Sequence, residues 1–179
     1  MEQFQKIFLI GFMGCGKTTH AKKLAKALRS SFIDLDNYIE KKEETTIEKI
    51  FADKGEEYFR EKETLYLDQV IARYKTSVIS LGGGAACFNE NIKTILKAGI
   101  VIYIEMSPEA LHYRLVHSKT NRPLLQNKTA EESLDFIKAL LKKREKFYKQ
   151  AHLTVPGIDL TTDKLKETLS LFVEQSQKK

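Results

Sequence analysis

The run Gly11-Phe12-Met13-Gly14-Cys15-Gly16-Lys17-Thr18 constrains this chain more than any other feature. It fits G-x-x-x-x-G-K-[ST] in full, and it stands between a short apolar run, Ile7–Ile10, and an amphipathic stretch, Thr18–Leu28. With glycine as common as it is, a chance match in a chain of this length comes at about one in a hundred or rarer. Strand, glycine-rich bend and helix in that order make an anion cradle. The glycines let the backbone curl so that successive N–H groups point at one anion. The helix beginning near Gly16 adds the positive end of its dipole. In such a cradle Gly14, Cys15, Gly16 and Thr19 line the phosphates, Lys17 reaches the β- and γ-phosphates, and the Thr18 hydroxyl is placed to ligate Mg²⁺.

The rest of the chain repeats that alternation. Strand-like runs occur at Ile7–Ile10, Phe32–Leu35, Ser77–Leu81, Ile100–Ile104 and, more weakly, Leu153–Val155. Helical periodicity marks Thr18–Leu28, Thr46–Ala52, Glu56–Arg73, Ile92–Lys97, Pro108–Val116, Ala130–Tyr148 and Thr161–Glu174. The pattern predicts an α/β fold of three layers, α/β/α, with a central parallel sheet of about five strands. A length of 179 residues suits one domain spanning residues 1–179. Residues 117–129 join two helices through a polar, proline-containing stretch, which predicts a mobile lid.

Composition excludes several classes. No apolar run approaches the ~18 residues needed to span a bilayer. The apolar run near the N-terminus is followed by glycines and a lysine rather than a cleavage site, so a cytoplasmic protein without a membrane partner is expected. The cysteines, Cys15 and Cys87, lie far apart and form no C-x-x-C pair; a disulfide is not expected, and Cys15 reads as filler in the loop more readily than as a reactive thiol. The net charge of +6 would suit nucleic acid, yet it suits an enzyme that handles anionic small molecules equally well. Its densest cluster, Lys142, Lys143, Arg144, Lys146 and Lys149, falls in a helix with an apolar stripe and reads mostly as a solvated face, so no nucleic-acid partner is expected.

A phosphate loop serves switches, motors and kinases alike. A guanine-reading N-K-x-D is missing, since Asn127-Lys128-Thr129-Ala130 lacks the aspartate. The third strand runs into Gly82-Gly83-Gly84 rather than a carboxylate. Carboxylates appear instead at the end of the second strand, where alternation sets Asp34 and Asp36 on one side, either serving a metal shell and a reacting hydroxyl or capping the next helix. In Gly55–Glu63, helical spacing sets Glu56, Phe59, Arg60 and Glu63 on one face; an ordinary surface helix with i,i+4 ion pairs would read the same, and Phe59 among the charges favours a pocket wall.

Taken together these segments resemble the shikimate kinase family from about Lys6 to Val155. The resemblance rests on Gly11–Thr18, on Asp34 and Asp36, on G-E-x-x-F-R-x-x-E at Gly55–Glu63, on Gly82–Gly84, on R-P-L-L at Arg122–Leu125, and on R-x-x-x-Y at Arg144 and Tyr148. It implies transfer of the γ-phosphoryl of ATP to the 3-hydroxyl of shikimate, with Mg²⁺ as cofactor, on the route to aromatic amino acids; a monomer is expected. By the same resemblance Lys17, Asp36 and Arg122 are catalytic. ATP is bound by Gly14, Cys15, Gly16, Lys17, Thr18 and Thr19, with Arg122 and Arg114 beside it. The acceptor is bound by Asp36, Arg60, Arg144, Gly82, Gly83 and Gly84, against Phe51 and Phe59 within a helical segment at residues 37–63, with Ile47, Pro123 and Leu124 as further lining. Thr18 ligates the metal and Asp34 acts on it through water, while Glu63 holds Arg60. His152 and the turn Thr154–Gly157 depart from the family's usual pattern, and His20 reads as a packing variation. His112 and His117 are badly spaced for a metal on one helical face. The alternative reading is another small-molecule kinase of this fold, acting on gluconate or a nucleoside monophosphate.

Overall fold

The computed structural model describes residues 6–118 and 128–177. Its centre is β1 (Lys6–Ile10), which pairs in parallel with β3 (Ser77–Ser80) on one side and β4 (Ile100–Glu105) on the other. The edges are β2 (Ser31–Asp34) beside β3 and β5 (Leu153–Pro156) beside β4, giving the order β2-β3-β1-β4-β5. The core strands are apolar on both faces: Phe8, Leu9, Val78, Ile79, Val101 and Ile102 are all fully buried. That is how strands covered by helices on both sides must read.

The helices are α1 (Lys17–Ala27), α2 (Leu35–Glu43), α3 (Ile47–Arg73), α4 (Asn91–Ala98), α5 (Pro108–Val116), α6 (Ala130–Tyr148) and α7 (Thr162–Gln177), with a short 3₁₀ turn at Ala85–Cys87. Local chemistry sets several of their ends. Ser107 accepts from the Ala110 N–H and Pro108 opens α5, where its missing N–H costs nothing. Thr129 and Glu132 close a reciprocal capping box at the start of α6.

The register brings Leu9, Ser80, Asp34 and Ile102 to one level, so the chain leaves β1, β2 and β3 along one rim. The neighbours of β1 lie on opposite sides, which opens a crevice at the carboxyl ends of the strands.

The strand and helix expectations hold within a residue or three, with two corrections. The second strand ends at Asp34, and Leu35 opens α2, a helix that runs into the segment 37–63 and that no periodicity marked. Asp36 therefore sits in the first turn of a helix, not beside Asp34 on a strand. The cause is the cap: Asp34 Oδ1 accepts from the Asn37 N–H, turning the chain into helix where alternation would continue the strand. Of the expected lid, residues 119–127 lie outside the described residues.

Candidate active site

The bend between β1 and α1 forms one wall. Lys17 is 7% exposed, and its ammonium donates to the carbonyls of Gly11 and Phe12, both at 2.9 Å, so the charge is held under the loop by the loop's own backbone. Thr18 and Thr19 stand exposed on the first turn of α1. The Thr18 hydroxyl donates to Asp34 Oδ2 at 2.8 Å and lies 3.3 Å from the Ser80 hydroxyl, so Asp34 serves both the helix cap and the phosphate side. These are oxygen donors of the kind Mg²⁺ takes, and a site completed by phosphates and water needs few protein ligands. Among the described residues no cluster of His, Cys, Asp and Glu could hold a metal by itself, and His112 and His117 form none. Cys15 is fully buried with its Sγ 3.8 Å from Lys17 Nζ.

Arg114 reaches back from α5 to the Cys15 carbonyl at 3.3 Å and across to the Gly157 carbonyl at 3.2 Å, tying the loop to the end of β5. His20 lies half-buried beside Gly16, its pKa lowered by burial first and then by Lys23 and Arg114. His152 acts structurally, since its Nδ1 accepts from the Val101 N–H at 3.1 Å while its ring leans on Phe172.

The opposite wall is built on Gly82, Gly83 and Gly84. A Cβ on Gly84 would lie 2.8 Å from Arg60 Nη2 and 2.9 Å from Nη1, and one on Gly82 would lie 2.6 Å from Asp36 Oδ1. Only bare backbone lets those charged groups come so close. Arg144, from α6, donates to the Gly83 carbonyl at 3.1 Å and lies over the Phe12 ring; the Tyr148 hydroxyl donates to the same carbonyl. Guanidinium groups from α3 and α6 thus meet on adjacent glycines. Gly83 in turn touches the phosphate loop, since a Cβ there would stand 3.1 Å from the Met13 N. Apolar cover comes from Phe51 and Phe59, whose rings are 4.7 Å apart, with Phe51 37% exposed and Phe59 buried.

Arg60 is the most heavily supported of these groups. Glu63 Oε2 accepts from its Nη1 at 2.7 Å, and Glu56 accepts from its other edge. Glu63 is 1% exposed, and burial raises its pKa from 4.5 to about 7; Arg60 opposes the rise, Asp36 adds to it and Arg144 subtracts.

The structure thus brings together Asp36, Arg60, Arg144, Gly82–Gly84, Phe51 and Phe59 on one side, and Gly14–Thr19 with Asp34 on the other. Arg122, Pro123 and Leu124 lie outside the described residues. Sequence reasoning missed Phe88, whose ring is 4.1 Å from the Arg60 guanidinium, nearer than Phe59 at 5.1 Å. It also missed Ser80 beside Thr18. Phe88 carries no local signal, because the 3₁₀ turn that delivers it has no sequence period; Ser80 could have been found from its place at the end of β3.

A parallel sheet of this order, with a phosphate loop facing an arginine-lined crevice across a bare glycine turn, defines a P-loop kinase of small molecules. Residues 13–174 match the family model for shikimate kinase. The chain belongs to the shikimate kinase family. It is 44% identical to the shikimate kinase of Bacteroides fragilis over 147 residues, 82% of each chain. The crystal structure of shikimate kinase from Bacteroides thetaiotaomicron superposes with a TM-score of 0.88 at 38% identity, covering 93% of this chain and 99% of that one. The solved structure of the Acinetobacter baumannii shikimate kinase, in complex with shikimate, superposes with a TM-score of 0.84 at 34% identity, covering 99% of this chain and 97% of that one. Among the described residues no helix is long and apolar enough to cross a membrane.

Proposed function

We propose that this chain transfers the γ-phosphoryl group of ATP to the 3-hydroxyl of shikimate, giving ADP and shikimate 3-phosphate. The observation that carries the acceptor assignment is the meeting of Arg60 and Arg144 on Gly84 and Gly83, beside the phosphate loop. A lone carboxylate on a small ring needs paired planar donors, and guanidinium forks supply them. A nucleoside monophosphate would call in addition for groups that read a base.

In this reading the Gly14–Thr19 backbone and Lys17 take the phosphates. Lys17 must leave the carbonyls of Gly11 and Phe12, exchanging neutral acceptors for anionic ones. Thr18 and, through water, Asp34 would hold Mg²⁺, which when bound neutralises charge on the phosphates. Arg60 and Arg144 fix the acceptor carboxylate, Phe51 and Phe59 cover the ring, and Asp36 accepts from the attacking hydroxyl. As the hydroxyl oxygen bonds to the γ-phosphorus, the bond to the β–γ bridging oxygen breaks and the hydroxyl proton passes towards Asp36.

ADP release measured against shikimate, gluconate and AMP tests the reading. Turnover is expected with shikimate; turnover on AMP or gluconate without shikimate would overturn it.

A further inference from the structure

Arg60 is gripped from two sides, by carboxylates in very different settings. Glu63 takes Nη1 at 2.7 Å with a side chain 1% exposed. Glu56 takes Nε and Nη2 together, at 3.1 and 3.0 Å on the same Oε1, with a side chain 57% exposed. The Nε and Nη2 edge is one of the paired-donor faces with which a guanidinium recognises a carboxylate. The Nη1 and Nη2 end faces Gly84, and the Phe88 ring lies 4.1 Å from the guanidinium carbon. An organic acid seeking paired donors on Arg60 therefore meets a carboxylate that is already there.

We propose that Glu56 is an internal stand-in for the acceptor's carboxylate. It neutralises Arg60 in the free enzyme and cedes the Nε and Nη2 edge when the acid binds, so it sets the affinity of the site for carboxylic acids. The exchange is nearly even, one carboxylate for another. Glu56 returns to water from a position already more than half exposed, and it is the residue after the break at Gly55, where the new helical start favours a negative charge. Glu63 has no such exit. Its burial disfavours ionisation away from Arg60, so it stays as the fixed partner while Glu56 is the exchangeable one. An i,i+4 pair on an open helix surface would end as a stabilising detail. This one occupies the donors of a guanidinium that stands against the glycine turn, with only 12% of its side chain exposed.

The inference rests on the shikimate reading. Calorimetric titration of shikimate into the full chain and into Glu56→Gln tests it, with a non-hydrolysable ATP analogue as the control ligand. Removing the competitor should tighten shikimate binding about two- to five-fold, the range of an exposed ion pair, and the gain should shrink in about 0.5 M salt. The affinity for the ATP analogue should not change. Equal or weaker shikimate binding by Glu56→Gln would overturn the proposal, because it would make Glu56 an aligner of Arg60 rather than its occupant. A wild-type chain that binds the ATP analogue but no shikimate would refute the acceptor assignment itself, a separate and distinguishable failure.

Discussion

Arg60 concentrates the acceptor problem in one side chain. Its side chain is 12% exposed, its Nη1 is held by a buried carboxylate, and its face is covered by Phe88. Truncating it would usually strand Glu63 as a buried anion, an expensive outcome. Glu63 has an escape, since its pKa already stands at about 7 and a proton can replace the lost guanidinium. Arg60→Ala should therefore fold, with a modest change in its urea midpoint, and lose about 2–4 kcal/mol of shikimate binding, the cost of removing one partner from a desolvated charge pair. Calorimetry alongside urea titration checks this. Unfolding with shikimate affinity intact would make Arg60 structural. This residue was legible through the family resemblance carried by Gly55–Glu63, because the helical face shared by Glu56, Phe59, Arg60 and Glu63 would by itself suit an ordinary surface helix as well. Its nearest aromatic neighbour was not, because Phe88 arrives by tertiary folding alone.

Among the elements, α3 carries the most information in its one irregular residue. Gly55 has φ 81 and ψ 174, which divides the helix between the turn bearing Phe51 and the turns bearing Arg60 and Glu63. The sequence periodicity had the same break, with separate segments at Thr46–Ala52 and Glu56–Arg73. The neighbouring α2 left no mark in the periodicity for a physical reason. Leu35 and Ile39 form only a brief apolar stripe, and Asp34 serves equally as a strand end and as a helix cap. Gly55 occupies a backbone region that is essentially closed to residues with a Cβ, although nothing lies within 4 Å of the position where that atom would stand. Gly55→Ala should then cost about 1–3 kcal/mol through backbone strain alone. Where the chain relaxes instead, Phe51 and Phe59 lose the angle that holds their rings 4.7 Å apart. The expected result is a lower urea midpoint and a raised KM for shikimate with the KM for ATP unchanged; a rise in both constants would place the hinge's influence on the phosphate loop as well.

At the scale of the whole molecule the three-layer α/β class with a parallel sheet was legible from alternating runs and one loop motif, whereas the order of the strands and the balance of charge with pH became visible only with pairing and burial. Glu63 is raised from 4.5 to about 7, so its contribution to stability is complete below pH 4.5 and lost as pH rises through about 7. His20 and His152 are lowered from 6.5, chiefly by burial, so theirs is complete above pH 6.5 and lost as pH falls below it. Protonation of His152 at Nδ1 would also remove the acceptor of the Val101 N–H that joins β4 to the start of β5. Between pH 7 and 5 these effects oppose each other: acidification relieves Glu63 and burdens the histidines. Glu43 and Glu132 are lowered below 4.5, by the hydroxyls of Tyr66 and Tyr58 and by the Thr129 cap respectively, so both keep their charge in that window. Glu63→Gln should expose the histidine side of the balance. Urea unfolding of both proteins at pH 5 and pH 7.5 should show the variant losing more stability on acidification than the wild type. An equal loss in the two proteins would mean that Glu63 titrates in the fold as it does in the unfolded chain, and the buried carboxylate beneath Arg60 would then be an ordinary ionised one.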